Sequence, residues 1–386
     1  MKKLSVAMVT TVHTSMDERI FLKEAVSLAQ HGYEVCIIGH HPRVETLQNV
    51  RFYPLPQSQN RIRRILLSPW HAFKIARQVK ADIYHFHDPE LYPLAAMIHW
   101  LFRRPVVMDI HEHYGKDIMS KHWIPRYLRS LYCHSFTLIE NICLHQIKAL
   151  IYVVPAIAER YRHFKKSKIE IRNYPILDAF ELKYNEHIER DPYRAIYSGA
   201  ITPDRGVIEL IDAMSIICRS IPEAKLDIMG PAISPEFLSF LIDKIKQLNL
   251  ESQITLIPSV PYHEMKYHLI KASIGYVTLL PRSENLVIAL PNKTFEYMAC
   301  RLAIICSDFP FYRNLMNESK AGVWVDPSDP QKIAAQTIQL MNNPDHCRHL
   351  GENGYQMVKT RYSWSAEARK LTAFYHELFQ RNSITL

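Results

Sequence analysis

Short apolar segments alternate with amphipathic helical stretches along almost the whole chain, in two successive series. The first series opens with a strand candidate at residues 4–10, a helix over residues 18–31 and a strand at residues 34–40, with Gly32 at the turn between them. Such alternation is typical of parallel strands joined by crossover helices, because the helices cover the faces of the sheet. The pattern therefore predicts an α/β fold.

The alternation lapses once, over residues 174–192, in a polar stretch flanked by prolines, and then resumes. A chain of 386 residues is long enough for two domains of roughly 150–200 residues each. We therefore predict two Rossmann-like, doubly wound parallel-sheet domains, over residues 1–180 and 190–365, facing a central cleft. The strand candidates are residues 4–10, 34–40, 50–55, 82–87, 105–110, 149–154 and 169–172, then 194–199, 225–230, 254–257, 274–280, 303–307 and 322–325.

The net charge of +9 is concentrated in the first part of the chain, because residues 1–175 hold 25 Lys and Arg against 14 Asp and Glu. This excess predicts an anionic partner for the N-terminal domain, either a membrane leaflet or a phosphorylated acceptor. No nucleic-acid-binding motif is recognisable, so nucleic acid is not an expected partner. The basic and apolar stretch at residues 61–80 leaves two interpretations open: a helix that rests on anionic lipid, or an ordinary covering helix with a solvated basic face.

The sequence contains no stretch typical of a membrane-spanning helix. Its longest nearly apolar run, residues 91–102, is far below the roughly 20 residues required. The basic start lacks an obvious secretory cleavage site, and the seven cysteines are scattered without a zinc or redox motif. We therefore expect a cytoplasmic protein, peripheral at the inner face of the membrane if its basic domain binds lipid.

Two segments of the second series place cations at predicted helix starts. YSGAITPDRG reads as strand, loop and helix start, with Ser198 and Gly199 at the strand end and Arg205 just before the helix. A cation beside free backbone N–H groups suits a diphosphate, whereas the alternative is a solvated loop arginine. The absence of a GxGxxG segment argues against a nicotinamide or flavin enzyme.

The second segment, LPNKTFEYM, places Pro291 at the first helical position and Asn292 and Lys293 in the first turn, with Glu296 one turn further on. The helix dipole favours an anion near Lys293, and a carboxylate at Glu296 can accept both hydroxyls of a ribose. The alternatives are a surface lysine and an acid that merely complements the helix dipole.

Several polar residues lie near strand ends of the first series. His13, Asp17 and Arg19 follow the first strand candidate, where they can contact acceptor or donor, although Asp17 suits a helix start equally well. His85 and His87 alternate along a strand, a spacing that suits either a metal site or, as the favoured interpretation, a structural or acceptor-contacting role. We predict no metal.

Taken together, these segments resemble the family 4 retaining glycosyltransferases of GT-B fold, particularly the subgroup with a PNKxFEYM-type helix. The resemblance rests on SGAITPDRG, LPNKTFEYMACRLAIICSD, VHTSMDERIFLKEAVSLAQHGYEVCIIG, HFHDPELYP and VVMDIHEHYG, in that family's order along nearly the whole chain. It implies a nucleoside-diphosphate sugar such as a UDP-sugar as co-substrate, retention of anomeric configuration, and neither an obligatory metal nor another cofactor. It also implies that the C-terminal helix, at about residues 366–386, packs back onto the N-terminal domain.

The resemblance assigns the catalytic roles residue by residue. Arg205 and Lys293 neutralise the leaving diphosphate, and Glu296 holds the ribose. His111 is the N-domain histidine near the transferred sugar, and Glu112 either orients it or holds the acceptor. The remaining site residues are Ser198, Gly199, Pro291 and Asn292 for the donor, and His13, Asp17, Arg19 and His87 for the acceptor.

The chain departs from the family pattern in three places. Ile288 stands where many relatives have a sugar-contacting glutamate, so Glu284 or Asn285 is the expected substitute. Arg205 replaces the usual lysine, which keeps the charge and adds a bidentate fork. The loop after the first strand lacks the paired glycines common elsewhere in the family.

The predicted function is transfer of a hexosyl or related sugar to an acceptor hydroxyl, sugar or lipid-linked, in assembly of a bacterial-type cell-surface polysaccharide or glycolipid. Two other functions stay open on the sequence alone: a nucleotide-sugar epimerase of the same architecture, and a non-catalytic nucleotide-sugar-binding protein.

Overall fold

A computed structural model of the chain describes residues 3–57, 60–111, 114, 118, 124–182, 188–288 and 290–383. The chain divides into two compact units. Unit 1 comprises Met1–Asn173 with Trp364–Leu386, and unit 2 comprises Tyr174–Ser363. The last helix, Trp364–Ser383, thus belongs to unit 1 although it follows unit 2 in sequence.

Unit 1 is built on a sheet whose eight described strands lie in the order β3-β4-β2-β1-β5-β6-β7-β8. The strands are β1 (Ser5–Thr14), β2 (Glu34–His40), β3 (Glu45–Leu47), β4 (Val50–Pro54), β5 (Ile83–Phe86), β6 (Val106–Ile110), β7 (Ala149–Tyr152) and β8 (Ser167–Glu170). All neighbours run parallel except β3 and β4. The predicted strands of this half are confirmed, each within a few residues, and only β3 was not predicted.

The helices of unit 1 cover this sheet. They are a π-helical turn, Glu18–Ala25, continued by Val26–Gln30, then Arg61–Val79, Tyr92–Phe102, Arg126–Leu144, Pro155–Arg160 and Trp364–Ser383, with a short 3₁₀ turn at Pro89–Leu91. The helix predicted over residues 18–31 is confirmed in extent, and its first part is π-helical. The core between helices and sheet is apolar, for example Ile38, Phe86 and Ile98.

Unit 2 contains six parallel strands in the order β11-β10-β9-β12-β13-β14. These are β9 (Asp191–Ser198), β10 (Lys225–Met229), β11 (Ile254–Ile257), β12 (Ala272–Val277), β13 (Ala303–Ser307) and β14 (Gly322–Val325). The helices are Val207–Ser220, Pro235–Gln247, Tyr262–Leu269, Glu284–Ile288, Asn292–Ala299, Pro310–Ser319, Pro330–Met341 and Pro344–Thr360, with 3₁₀ turns at Leu177–Ala179 and Pro203–Arg205. All six strands were predicted, and three of them have the predicted bounds.

Each sheet reverses its strand order once. In unit 1 the chain moves outward from β1 to β4 and then returns to place β5 on the other side of β1. In unit 2 it moves from β9 to β11 and returns to place β12 beside β9. Loops at such a switch point diverge and leave a crevice at the carboxyl ends of the strands, which is where open α/β sheets bind ligands. Ligand sites are therefore expected at the carboxyl ends of β1 and β5 and of β9 and β12.

Candidate functional site

The end of β9 is tied to the helix Asn292–Ala299. The Ser198 amide donates a hydrogen bond to the Tyr297 hydroxyl at 2.8 Å, and the Ser198 hydroxyl lies 3.1 Å from the same oxygen. Both residues are buried. The start of that helix is therefore held beside the unit 2 switch point, where the sequence placed the donor segments.

Glycines allow the backbone to converge under this helix. Gly199 has φ of 120° and Gly230 has φ of 144°, which side-chain-bearing residues rarely adopt. A Cβ on Gly230 would lie 2.0 Å from the Gly199 carbonyl oxygen, and one on Gly199 would lie 3.6 Å from the Lys293 Nζ. The ends of β9 and β10 therefore approach each other closely, with the lysine directly over Gly199.

Lys293 is a buried cation. Its side chain is only 6% exposed, and its Nζ lies 3.5 Å from the centroid of the Tyr197 ring, a cation–π contact. Among the described residues the Nζ finds no hydrogen-bond partner. Burial, and then the charge of Arg205, hold the Lys293 pKa well below its usual value, although Glu296 opposes the shift. A buried ammonium without a hydrogen-bond partner costs free energy, and an anion bound at the Nζ would reduce that cost.

Arg205 is brought to the same place. It ends the 3₁₀ turn Pro203–Arg205, and Gly206, with φ of 73°, starts the helix Val207–Ser220. The Thr278 hydroxyl, just past β12, donates to the Arg205 carbonyl at 3.3 Å. The guanidinium is close enough to help depress the Lys293 pKa. The structure therefore gathers the two predicted cations at the switch point.

The other predicted donor residues flank this pair. Asn292 is the first residue of its helix and partly exposed, while Pro291 is the preceding cap rather than the first helical residue as predicted. Glu296 lies one turn beyond Lys293 and is 6% exposed. Glu284 and Asn285 belong to the helix Glu284–Ile288, but their side chains lie outside the described part of the chain.

In unit 1, a buried aspartate at the end of β5 organises the end of β1. Asp88 accepts hydrogen bonds from the amides of Thr11 (2.6 Å) and Val12 (3.0 Å) and from the Thr10 hydroxyl (2.8 Å). Its other oxygen lies 2.8 Å from His13 Nδ1. The hydrogen bond to Asp88 raises the His13 pKa, although burial opposes it. Burial alone would raise the Asp88 pKa, but His13 and the surrounding donors hold it well below its ordinary value.

A second buried aspartate, on β6, holds His111. The His111 Nε2 lies 2.8 Å from Asp109 Oδ2. Arg19 forms a fork with the same carboxylate, Nε to Oδ2 at 2.9 Å and Nη2 to Oδ1 at 3.1 Å, and its Nη1 donates to the Ile171 carbonyl. Asp109 is fully buried, and Arg19 and His111 keep its pKa well below the usual value against the effect of burial. Glu112, the predicted partner of His111, lies outside the described residues.

Two acceptor predictions need correction. Arg19 is 4% exposed and bound by Asp109 and by Glu24, whose Oε1 lies 3.0 Å from the Arg19 Nε, so its guanidinium supports protein rather than facing a ligand. His87 is fully buried, with Nδ1 3.4 Å from Asp109 Oδ2, because both faces of β5 are covered. Asp17 caps the helix start by accepting from the amides of Arg19 and Ile20, which is the helix-start alternative.

Glu24, His85, His87 and Asp109 form a buried cluster in which one ligand atom from each lies within 4.8 Å of the others. Such a set has the composition of a transition-metal site. Arg19, however, already contacts both carboxylates and supplies a positive charge. The Tyr375 hydroxyl, on the last helix, lies 2.8 Å from His85 Nδ1 and joins that helix to the cluster.

Sequence reasoning missed three residues of these sites: Asp88, Asp109 and Tyr197. Both aspartates had a usable signal, since Asp109 interrupts the apolar run VVMDI and Asp88 directly follows a buried strand. A charge inside a buried strand needs a partner. Tyr197 carried no such signal, because a tyrosine in a strand is ordinary.

Comparisons with known proteins find glycosyltransferases. The family described as "Glycosyltransferase Family 4" matches residues 17–173, and that described as "Glycosyl transferases group 1" matches residues 179–357. A D-inositol 3-phosphate glycosyltransferase of Thermobispora bispora is 25% identical over 195 residues, covering 48% of this chain and 43% of that protein. The chain spans about half the length of the first three curated relatives it matches.

Solved structures share the architecture. Sucrose-phosphate synthase from Thermosynechococcus elongatus superposes with a TM-score of 0.78 at 17% identity, over 98% of this chain and all of that one (100%). The Anabaena protein HepE, solved with UDP and glucose, gives a TM-score of 0.70 at 12% identity, over 97% of this chain and 100% of that chain. At these identities the likeness is one of fold. Among the described residues, no helix is both long enough and apolar enough to cross a membrane.

Proposed function

Since the chain belongs to the family 4-like glycosyltransferases of GT-B fold, we propose that it transfers a sugar from a nucleoside-diphosphate sugar to an acceptor hydroxyl with retention of anomeric configuration. The observation that carries the proposal is the buried Lys293 amino group, which has no hydrogen-bond partner among the described residues, close to Arg205 at the unit 2 switch point. A diphosphate supplies the negative charge that this place lacks.

Unit 2 binds the donor in this proposal. Lys293 and Arg205 neutralise the diphosphate, with the amides at the start of the helix Asn292–Ala299 as further donors. Glu296 accepts the ribose hydroxyls, and Glu284 or Asn285 contacts the sugar where relatives carry a glutamate. The two cations perform the charge neutralisation that a metal would otherwise supply, so the reaction needs no metal and no cofactor.

The chemical step exchanges one bond at the anomeric carbon for another. The bond to the diphosphate oxygen breaks, and the acceptor oxygen bonds to the anomeric carbon from the same face. The acceptor proton passes to the departing phosphate oxygen, so no protein nucleophile is required. Positioning and preorganised positive charge then provide most of the acceleration.

Unit 1 supplies the acceptor side. The family resemblance gives His111 the role of contacting the transferred sugar, and His13, Asp17 and Glu112 are the candidates for acceptor contact. The His13 side chain is 38% exposed, against 19% for His111, and the two ring centroids lie 5.6 Å apart. The product is part of a bacterial-type cell-surface polysaccharide or glycolipid.

A lipid-linked acceptor fits two helices of unit 1. The helices Arg61–Val79 and Arg126–Leu144 together hold seven Arg and Lys, and their single acid, Glu140, is buried. They nevertheless expose large apolar side chains, including Leu66 at 67% and Leu138 at 62%. A basic surface with exposed apolar residues suits an anionic leaflet, which makes the protein cytoplasmic and peripheral at the membrane.

Vesicle flotation tests this surface. The wild-type protein should float with phosphatidylcholine vesicles that contain phosphatidylglycerol and stay behind with phosphatidylcholine alone. The double variant Leu66→Ser/Leu138→Ser should float less, whereas Ile233→Ser, which alters an equally exposed residue of unit 2, should float as the wild type does. Equal flotation of both variants would remove the lipid surface from the proposal.

A panel of nucleotide sugars tests the proposed activity. The protein is incubated with UDP-, GDP- and ADP-linked hexoses, and release of the nucleoside diphosphate is measured with and without EDTA. UDP-glucose is the first donor to try, because the HepE neighbour was solved with UDP and glucose. Release that persists in EDTA is expected for one donor. A panel with no release and no thermal stabilisation by any nucleotide sugar would contradict the proposal.

A further inference from the structure

Asp109 is fixed by Arg19 and contacts His111. The Arg19 guanidinium donates hydrogen bonds to both oxygens of the Asp109 carboxylate. Its Nη1 also donates to the carbonyl of Ile171, directly after β8. Asp109 is fully buried, so its carboxylate cannot turn away to solvent. The His111 Nε2 lies 2.8 Å from Asp109 Oδ2, and the His87 Nδ1 lies further away, 3.4 Å from the same oxygen.

This contact decides which nitrogen of His111 carries a proton. An ionised carboxylate only accepts hydrogen bonds, so the Nε2 of His111 must donate. In the neutral ring the Nδ1 is then the nitrogen with the free lone pair. The His111 side chain is 19% exposed, so the ring is mostly buried but still accessible in part.

We infer that Asp109 is a positioning residue that fixes the orientation and the tautomer of His111, so that the Nδ1 is the atom offered to the substrate. The inference rests on the proposed function for the role of His111. It assigns the orientation of His111 to Asp109, two positions before the histidine, instead of to the adjacent Glu112. The arrangement follows the logic of a histidine oriented by a buried carboxylate, in which the carboxylate itself takes no proton.

The surrounding cluster agrees with a positioning role rather than a cation site. Arg19 Nε lies 2.9 Å from Asp109 Oδ2 and 3.0 Å from Glu24 Oε1, so a guanidinium already lies between the carboxylates. Metal analysis of the purified protein should therefore find well under one equivalent of zinc, manganese or iron. A stoichiometric metal would overturn the inference, because Oδ2 would then be a ligand.

Kinetics of two single variants and their combination test the inference. Asp109→Asn keeps the side-chain size, and it should lower kcat about 100-fold, the loss expected when a group at the reacting centre is misplaced by about 1 Å. The donor KM should change by less than about twofold, because only the chemical step is affected. Asp109→Asn in a His111→Ala background should cost nothing further, since the group that Asp109 positions is already gone.

The control is Asp82→Asn. Asp82 also lies in unit 1 and accepts hydrogen bonds from the Ser5 amide and hydroxyl, at the ends of β1 and β5 opposite to His13. The kcat of Asp82→Asn should therefore equal that of the wild type. A purely structural role for Asp109 would instead lower kcat by the same factor in both backgrounds, together with the melting temperature, and would overturn the inference.

A second measurement on the wild-type protein covers the case in which Asp109→Asn does not fold. Nitrogen-15 NMR of the imidazoles, with His111 assigned by the signal missing from His111→Gln, should show the Nε2–H tautomer. The Nδ1–H tautomer would overturn the inference. Release of no nucleoside diphosphate by the wild-type protein would count against the proposed function alone, because the tautomer is measured without a substrate.

Discussion

The buried Arg19, Asp109 and Asp88 of unit 1 lie in ion pairs, whereas the buried Lys293 of unit 2 has no ion-pair or hydrogen-bond partner among the described residues. In unit 1 the buried Arg19 meets the buried Asp109 in a two-point fork, and the buried Asp88 meets His13 and three further donors. In unit 2 the buried Lys293 has only an aromatic face and a second cation nearby, with Glu296 as a partial counterweight.

The difference separates two uses of buried charge. A matched pair makes the protein itself more rigid, since breaking it leaves an uncompensated charge. An unmatched cation weakens the free protein and strengthens its complex with an anion. We therefore expect substitutions in the two regions to change stability in opposite directions.

The largest effect is expected from breaking the matched pair. Arg19→Met leaves Asp109 buried without its fork, and it should lower the free energy of unfolding by about 3–5 kcal/mol. Urea unfolding measures the loss. Arg43→Met is the matched control, because Arg43 is 78% exposed in its ion pair with Glu45, and it should change stability by less than about 0.5 kcal/mol. Similar losses in both variants would contradict the comparison.

Removing the more accessible cation of unit 2 should reduce turnover but not stability. Arg205→Ala is expected to lower kcat about 10²–10³-fold, the range for loss of one preorganised charge-stabilising donor. Steady-state release of nucleoside diphosphate measures it. Arg348→Ala, an arginine of the same unit that is 76% exposed, should keep wild-type turnover. Near-normal turnover of Arg205→Ala at saturating donor would take Arg205 out of the mechanism.

Lys293→Met should stabilise the free protein while abolishing donor binding. Burial and the charge of Arg205 disfavour a charged lysine at this place, and methionine removes that cost, so a gain of about 1 kcal/mol is expected. Thermal unfolding with and without UDP measures both effects. UDP should raise the melting temperature of the wild type but not that of Lys293→Met. A clear loss of stability without ligand would show that the lysine charge is already compensated.

The smallest effect concerns pH. The His13 pKa is raised in the folded protein above its ordinary value of 6.5, so the stabilisation from its pair with Asp88 is complete below that value. It should be lost as the pH rises through the folded-state pKa. His13→Gln should therefore flatten the decline in stability above pH 6.5 while leaving the rest of the profile in place. An unchanged profile would mean that His13 does not titrate against Asp88.

The parts of the site that follow one another in sequence could be predicted. Arg205 and Lys293 each lie beside a helix start within a short segment, and the spacing of strand, loop and helix places them at a strand end. The fork between Arg19 and Asp109 and the contacts of Asp88 with the end of β1 could not be predicted. Arg19 and Asp109 are 90 residues apart and Thr11 and Asp88 are 77, so nothing local in the sequence relates them.

One strand shows the same limit on a smaller scale. The hairpin of β3 and β4 turns through Gln48 and Asn49, both with positive φ. A two-residue turn of this kind usually contains a glycine, which is absent here. A three-residue strand without a turn signal cannot be recognised from its composition.

The sequence by itself determined the layers of this protein. The apolar alternation has the period of parallel strands and covering helices, and this local property survives in any context that buries them. Only the tertiary structure decided which charges meet. The periodicity of a strand or helix gives the face on which Asp109 or Lys293 lies, but the partner on that face comes from a distant segment, and its identity depends on how the sheet is ordered.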